Sequence, residues 1–124
     1  MVTVAVLGAS NNPDRYSYQA IDLLAKHNHS VYPIHPLLTE ILNQKVYGNL
    51  DALMMNEDIQ LHTLTMYVNA KISSEIEDQI LRAKPARVIF NPGTENPDLA
   101  TKLKAAGSEV LEACTLVMLR TGQF

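Results

Sequence analysis

A single cysteine, Cys114, is all the thiol chemistry in 124 residues. One thiol cannot close an internal disulfide, which fits a reducing compartment and points to the cytosol. No useful run of Lys or Arg occurs, and the formal net charge is -3. Polymeric nucleic acid is therefore a poor partner, because its phosphates need a basic face, while a single nucleotide is not excluded. No apolar run approaches the ~20 residues that a membrane helix requires. The opening MVTVAVLGAS carries no basic leader and runs straight into a strand pattern, so it reads as the start of a domain. Internal repeats and low-complexity segments are also missing.

Absent signatures narrow the chemistry further. Gly8 is followed by Ala9, Ser10 and Asn11, so the GxGxxG dinucleotide fingerprint is not there, and neither is the P-loop pattern GxxxxGK[ST]. GASNN is not a GxSxG elbow, and no Ser-His-Asp order is visible. The four histidines, His27, His29, His35 and His62, have no cysteine or carboxylate at ligand spacing, so no metal is assigned. A nicotinamide-binding domain places Asp or Glu at the end of its second strand, to hold ribose hydroxyls. Here that position reads His35-Pro36, which argues against such a cofactor.

What is present suits one compact domain, residues 1–124. Apolar residues make up 47 %, and a chain of this size buries roughly two-thirds of its extended surface. Thr3–Leu7 is short, β-branched and apolar on both faces, as a buried parallel strand should be. Ile21, Leu24 and Ala25 at helical spacing predict a helix over Ser17–His27. Val31–His35 reads as a second strand despite Pro33, which cannot donate to a ladder. Pro36–Asn49 reads as a loop with one helical turn at Glu40–Leu42. Leu50–Met55 is a short helix with Leu50, Leu53 and Met54 inward. Leu61–Val68 is a third, partly alternating strand.

The pair Ser73/Ser74 precedes an acidic turn and the stripe Ile76, Ile80, Leu81, which predicts a helix stopped by Pro85. Ala86–Phe90 is a fourth strand, followed by the turn Asn91-Pro92-Gly93. Pro97–Ala106 is a helix closed by Gly107. Val110 and Leu111 mark a fifth strand, and Thr115–Arg120 a last short helix. This alternation predicts an α/β fold: a three-layer, doubly wound sheet of about five parallel strands with helices on both faces. Such sheets bind ligands beyond the C-terminal ends of the strands, at the switch point.

The stretch after the first strand, Gly8 to Arg15, is the most informative. Gly8 permits a tight turn and close backbone approach, and Ala9 and Ser10 keep the space open. Free amides there and at the following helix N-terminus suit a phosphate. Ser10 and Ser17 add hydroxyls, and Arg15 adds a charge matched to a pyrophosphate. A plain strand-to-helix turn with an exposed arginine is the alternative.

The blocks VAVLGASNNPDRYSY, VYPIHP, KVYGNL and NPGTEN occur in this order and span nearly the whole chain. Together they resemble the successive blocks of the coenzyme A-binding family: a GAS loop with Arg-x-Ser after it, a VYPVNP strand, a K-x-YP element and a PG-x-EN turn. The resemblance implies a Rossmann-like domain that holds coenzyme A at the strand C-termini, similar to that of the succinyl-CoA ligase α-subunit. By motif match, Gly8, Ala9, Ser10, Arg15 and Ser17 cradle the pyrophosphate. His35 and Pro36 lie beside the adenosine, and Lys45 meets a phosphate. Val68, Asn69 and Ala70 border the adenine. Asn91, Pro92, Gly93 and Glu95 line the pantetheine side. His35 stands where the family usually has asparagine, and Val68-Asn69-Ala70-Lys71 replaces a proline-rich step.

The expected function is thus binding of coenzyme A or an acyl-CoA, not catalysis, since no convincing nucleophile–base pair is visible. Cys114, just past the fifth strand, could instead be a reactive thiol, although inert buried cysteines are commoner. An enzyme using a nicotinamide cofactor or Cys114, and an interaction module without a ligand, are the competing classes. Asn96 before Pro97 suits an N-cap, and Glu95 could bond a ligand amide. An apolar C-terminal segment around Leu116, Val117 and Leu119 could pair two subunits as a homodimer.

Overall fold

The computed structural model describes residues 1–124. Five strands form one all-parallel sheet: β1 (Thr3–Leu7), β2 (Ser30–Ile34), β5 (Thr63–Met66), β6 (Arg87–Phe90) and β7 (Glu109–Glu112). Their spatial order is β2-β1-β5-β6-β7. A small antiparallel hairpin, β3 (Glu40–Ile41) and β4 (Gln44–Lys45), lies outside the sheet. Six helices complete the chain: α1 (Tyr16–Lys26), α2 (Leu50–Asn56), α3 (Ala70–Glu75), α4 (Glu77–Ala83), α5 (Pro97–Ala105) and α6 (Thr115–Arg120).

The period-2 geometry of β1 divides the core into two halves. Val4 and Val6 face α1 and α6, where they meet Ile21, Leu24 and Leu119. Ala5 and Leu7 face the other way, onto Leu50 and Leu53 of α2, Ile80 of α4, and Leu99 and Leu103 of α5. Helices therefore cover both faces, as expected for a doubly wound sheet. Burying each such Leu or Ile contributes about 1.5–3 kcal/mol relative to leaving it in water. With both faces covered, β5 and β6 are buried at every position. Strand β5 is accordingly not an alternating strand, and it is shorter than the Leu61–Val68 expected from sequence.

Pro33 is tolerated because β2 is a sheet edge. Its carbonyl accepts from Tyr47 N (3.0 Å), on the side away from β1, and its missing N–H faces that same side. The bridge between Ile34 and Tyr47 and the neighbouring hairpin cover that edge. The opposite edge is β7, whose two end residues, Glu109 and Glu112, are exposed.

Three expectations need correction. The segment expected as a loop with a helical turn at Glu40–Leu42 is the hairpin, turned by Leu42 (φ 49°) and Asn43 (φ 63°), both left-handed. The helix expected after Ser73/Ser74 starts earlier, at Ala70, with Asn69 as its N-cap, and breaks at Ile76 into α3 and α4. Leu116 and Leu119 are 3 % exposed and pack inward, and of the three residues expected to pair subunits only Val117 is exposed. That segment closes the domain's own core, with Val117 alone of the three turned outward.

Candidate functional site

The sheet order changes direction at β1. From there the chain goes to β2 on one side and later to β5 on the other, so a crevice opens beyond the C-terminal ends of β1 and β5. Gly8 follows β1 with φ +89°. A Cβ at that position would lie 2.9 Å from the backbone C and O of Tyr67, so only glycine lets the two chains pass so closely. The loop is tied on both sides: Ala9 N donates to Ile34 O (3.1 Å), and Tyr67 N donates to Leu7 O (2.8 Å).

Beyond Gly8 the loop organises itself. Ser10 Oγ accepts from Asn12 N, and Asn12 Oδ1 accepts from Asp14 N, each at 3.0 Å. Arg15 then takes the N-cap of α1 in extended backbone (φ -83°, ψ 141°), and no side chain bonds the amides of the first turn. A guanidinium has no acceptor to offer them. That turn also holds no acidic residue. By contrast Asn49, Asn69 and Asn96 cap α2, α3 and α5 through their side-chain oxygens. The N-terminal amides of α1 and its dipole are thus free for an anion.

These residues wall a cavity of about 730 Å³. Of the predicted residues, Gly8, Ala9, Ser10, Arg15, Ser17, His35, Pro36 and Val68 line it together. His35 sits just past β2, and its Nδ1 accepts from Leu37 N (3.0 Å) and Leu38 N (3.1 Å). Asn11, Asp14, Tyr16, Leu38, Tyr67 and Ile72 complete the lining and were not singled out from sequence. Tyr16 is 69 % and Ile72 42 % exposed, and together they give the cavity an apolar lip. Their signal in the sequence was position alone, at the start of α1 and one turn into α3. The Tyr67 hydroxyl lies buried without a hydrogen-bond partner. Burial pushes it up to about 12, with the nearby Thr115 hydroxyl acting the other way.

Seven predicted residues do not line the cavity, among them Ala70, which opens α3. Lys45 lies on β4 with its Nζ 4.9 Å over the Tyr47 ring. Asn69 spends its Oδ1 on Ile72 N (3.0 Å), capping α3. Asn91 is 2 % exposed. Its Nδ2 donates to Thr65 Oγ1 and Met66 O (2.8 Å each), and its Oδ1 accepts from Thr115 N (2.9 Å). Pro92 and Gly93 form an exposed turn, braced by Glu95 Oε1 accepting from Gly93 N (3.0 Å). Asn91, directly after β6, thus ties β5 and α6 together. Asn96 caps α5, as its place before Pro97 suggested, and also donates to Ser73 Oγ (2.9 Å). Cys114 is half-buried at the N-cap of α6 and does not line the cavity.

A cavity of about 720 Å³ opens at the opposite end of the sheet, beside Thr3, Gln60, His62 and Lys84. Arg82 there is already held by Asp51 (2.8 Å). No glycine turn or helix N-terminus faces that cavity, so size alone recommends it. The chemistry favours the end with the free amides.

Residues 2–120 match the family described as CoA binding domain. A solved structure described as an uncharacterized protein is 36 % identical, over 100 % of this chain and 98 % of its own, with a TM-score of 0.86. A hypothetical protein from Pyrococcus horikoshii OT3 is 24 % identical, over 95 % of this chain and 81 % of its own, with a TM-score of 0.84. The dinucleotide-forming acetyl-coenzyme A synthetase 1 of Ca. Korarchaeum cryptofilum, in complex with phosphate and ADP, is 20 % identical with a TM-score of 0.72. That likeness covers 90 % of this chain and 25 % of the synthetase. The last two are likenesses of fold.

Proposed function

The chain belongs to the CoA-binding domain family, and from that premise we propose that it binds coenzyme A or an acyl-CoA in the cavity beyond β1 and β5, without catalysing a reaction itself. The observation that carries this reading is the uncapped first turn of α1, which faces the cavity beside an unpaired Arg15 and the close-packed Gly8 turn. A pyrophosphate needs several N–H donors and a fixed positive charge, and the first turn of α1 holds no acidic residue, with Asp14 the one carboxylate in the lining. The free amides of α1, the Ser10 and Ser17 hydroxyls and the Arg15 guanidinium supply that set. The apolar lip of Tyr16 and Ile72 supports a ligand that is apolar beside its phosphates. Binding without catalysis is supported by the positions of the reactive groups. His35 lines the cavity with its Nδ1 already occupied, and Cys114 lies outside it.

The test is thermal unfolding in parallel with coenzyme A, acetyl-CoA, NAD, NADP and ATP. A ligand at 100 times its Kd should stabilise the fold by about 2.7 kcal/mol. The midpoint should rise with coenzyme A and acetyl-CoA. Arg15→Ala should weaken that binding about tenfold to a hundredfold, as expected for loss of charge-assisted hydrogen bonds. A rise with NAD or NADP alone would instead favour an oxidoreductase.

A further inference from the structure

At the end of β2, where a dinucleotide-binding domain keeps an acid to accept from ribose hydroxyls, this chain presents His35. The ring's hydrogen bonds fix what it can offer. Its Nδ1 accepts from two backbone amides, Leu37 N at 3.0 Å and Leu38 N at 3.1 Å. A nitrogen that accepts carries no proton, so the ring proton sits on Nε2. Nε2 is the one polar atom of the side chain with no partner in the protein, and His35 lines the cavity. The side chain can therefore offer the cavity only a donor. The only carboxylate in the lining, Asp14, belongs to the loop after β1, so nothing at the β2 end replaces the missing acceptor.

A donor needs an acceptor opposite. Among the groups an adenosine ribose can carry, a phosphate monoester only accepts and bears charge, so an N–H bonds it more strongly than it bonds a hydroxyl. We propose that His35 is a specificity-determining residue that reads a phosphorylated ribose through Nε2–H, so that the site favours the 3′-phosphorylated ligand over its unphosphorylated counterpart. This rests on the reading of the cavity as a coenzyme A site. It also separates two jobs in one side chain: Nδ1 shapes the turn at Pro36–Leu38, and Nε2 reads the ligand.

The two jobs can be separated by substitution. His35→Asp keeps an oxygen that can accept from the Leu37 amide but offers no donor. His35→Asn keeps both an acceptor for the turn and an N–H donor. Dissociation constants of coenzyme A and 3′-dephospho-coenzyme A, measured by calorimetry on the full chain, test the idea. The wild type should bind coenzyme A about tenfold more tightly than the dephospho form. His35→Asp should bring that ratio to one or below, because its loss of affinity falls mainly on coenzyme A. His35→Asn should restore most of the preference. Equal binding of the two ligands by the wild type overturns the role of His35 and leaves the coenzyme A reading standing. An Asp variant that loses both ligands alike also overturns it, because His35 then only shapes the turn. Binding of neither ligand by the wild type overturns both readings.

Discussion

Gly8 carries two constraints at once, a left-handed backbone and a site where an added Cβ would lie 2.9 Å from the carbonyl of Tyr67. Gly8→Ala should therefore cost about 1–3 kcal/mol in backbone strain alone, read as a lower urea midpoint, and should abolish the rise in unfolding temperature with coenzyme A. Asn91 makes the opposite case, a residue whose whole side chain is spent inside the protein. Asn91→Ala should destabilise by about 2–4 kcal/mol, since Thr115 N–H and Met66 C=O lose their partners in a buried site. A urea unfolding curve checks this, and a loss of under 1 kcal/mol would contradict it. The two residues also differ in how far the sequence revealed them. Gly8 was legible because its reasons are local: a buried strand ends and a helix must start. Asn91 was read as a ligand contact. Its actual partners, Thr65 and Thr115, lie 26 and 24 positions away, and only the parallel sheet brings them together.

At the scale of elements, the strands and most helices followed from hydrophobic period and from Gly and Pro. The hairpin did not. Two-residue hairpin turns favour Asn-Gly because both residues need positive φ, and this one uses Leu42-Asn43. A leucine held left-handed is strained by roughly 1–2 kcal/mol. Leu42→Asn should therefore raise the guanidinium midpoint, by about 1 kcal/mol in stability, with no change in slope. The start of α3 was missed because Ser73/Ser74 before acidic residues imitates a helix start. In the fold Ser73 is fully buried and bonds Asn96, and Asn69 does the capping. Asn96 joins two elements, since it caps α5 and donates to Ser73. Asn96→Ala should thus cost about 1–2 kcal/mol, the upper part of the range for a lost cap.

For the whole molecule, the end of the sheet opposite the ligand cavity has its own chemistry. The Phe124 ring lies 5.0 Å from the His29 ring, and the Arg87 guanidinium lies 4.4 Å from the Phe124 ring centroid. His29 Nδ1 accepts from Val2 N (3.1 Å). Burial holds His29 below its usual range, and the amino terminus, His27, Arg87 and His62 push the same way. A base whose folded pKa is depressed gives stability that is present above the unfolded value, near 6.5, and is lost as pH falls. The urea midpoint should therefore drop between pH 7.5 and 5, and drop less in His29→Asn; equal slopes would remove His29 as the cause. The architecture itself was legible because alternation of strands and helices is a pattern of the entire chain, whereas contacts between its two ends are not.

The borders of the sheet carry a last consequence, for how copies of the chain behave when crowded. At β2 the missing N–H of Pro33 and the hairpin leave no ladder for an incoming strand. At β7 an approaching copy would bring Glu109 and Glu112 against its own pair of glutamates. Strand addition, the usual first step toward insoluble fibrils, is blocked by geometry on one side and by like charge on the other. The second barrier is the weaker one. Replacing both glutamates with threonine should make light scattering at neutral pH depend on concentration, and an unchanged signal would show that β7 is guarded by something other than its charge.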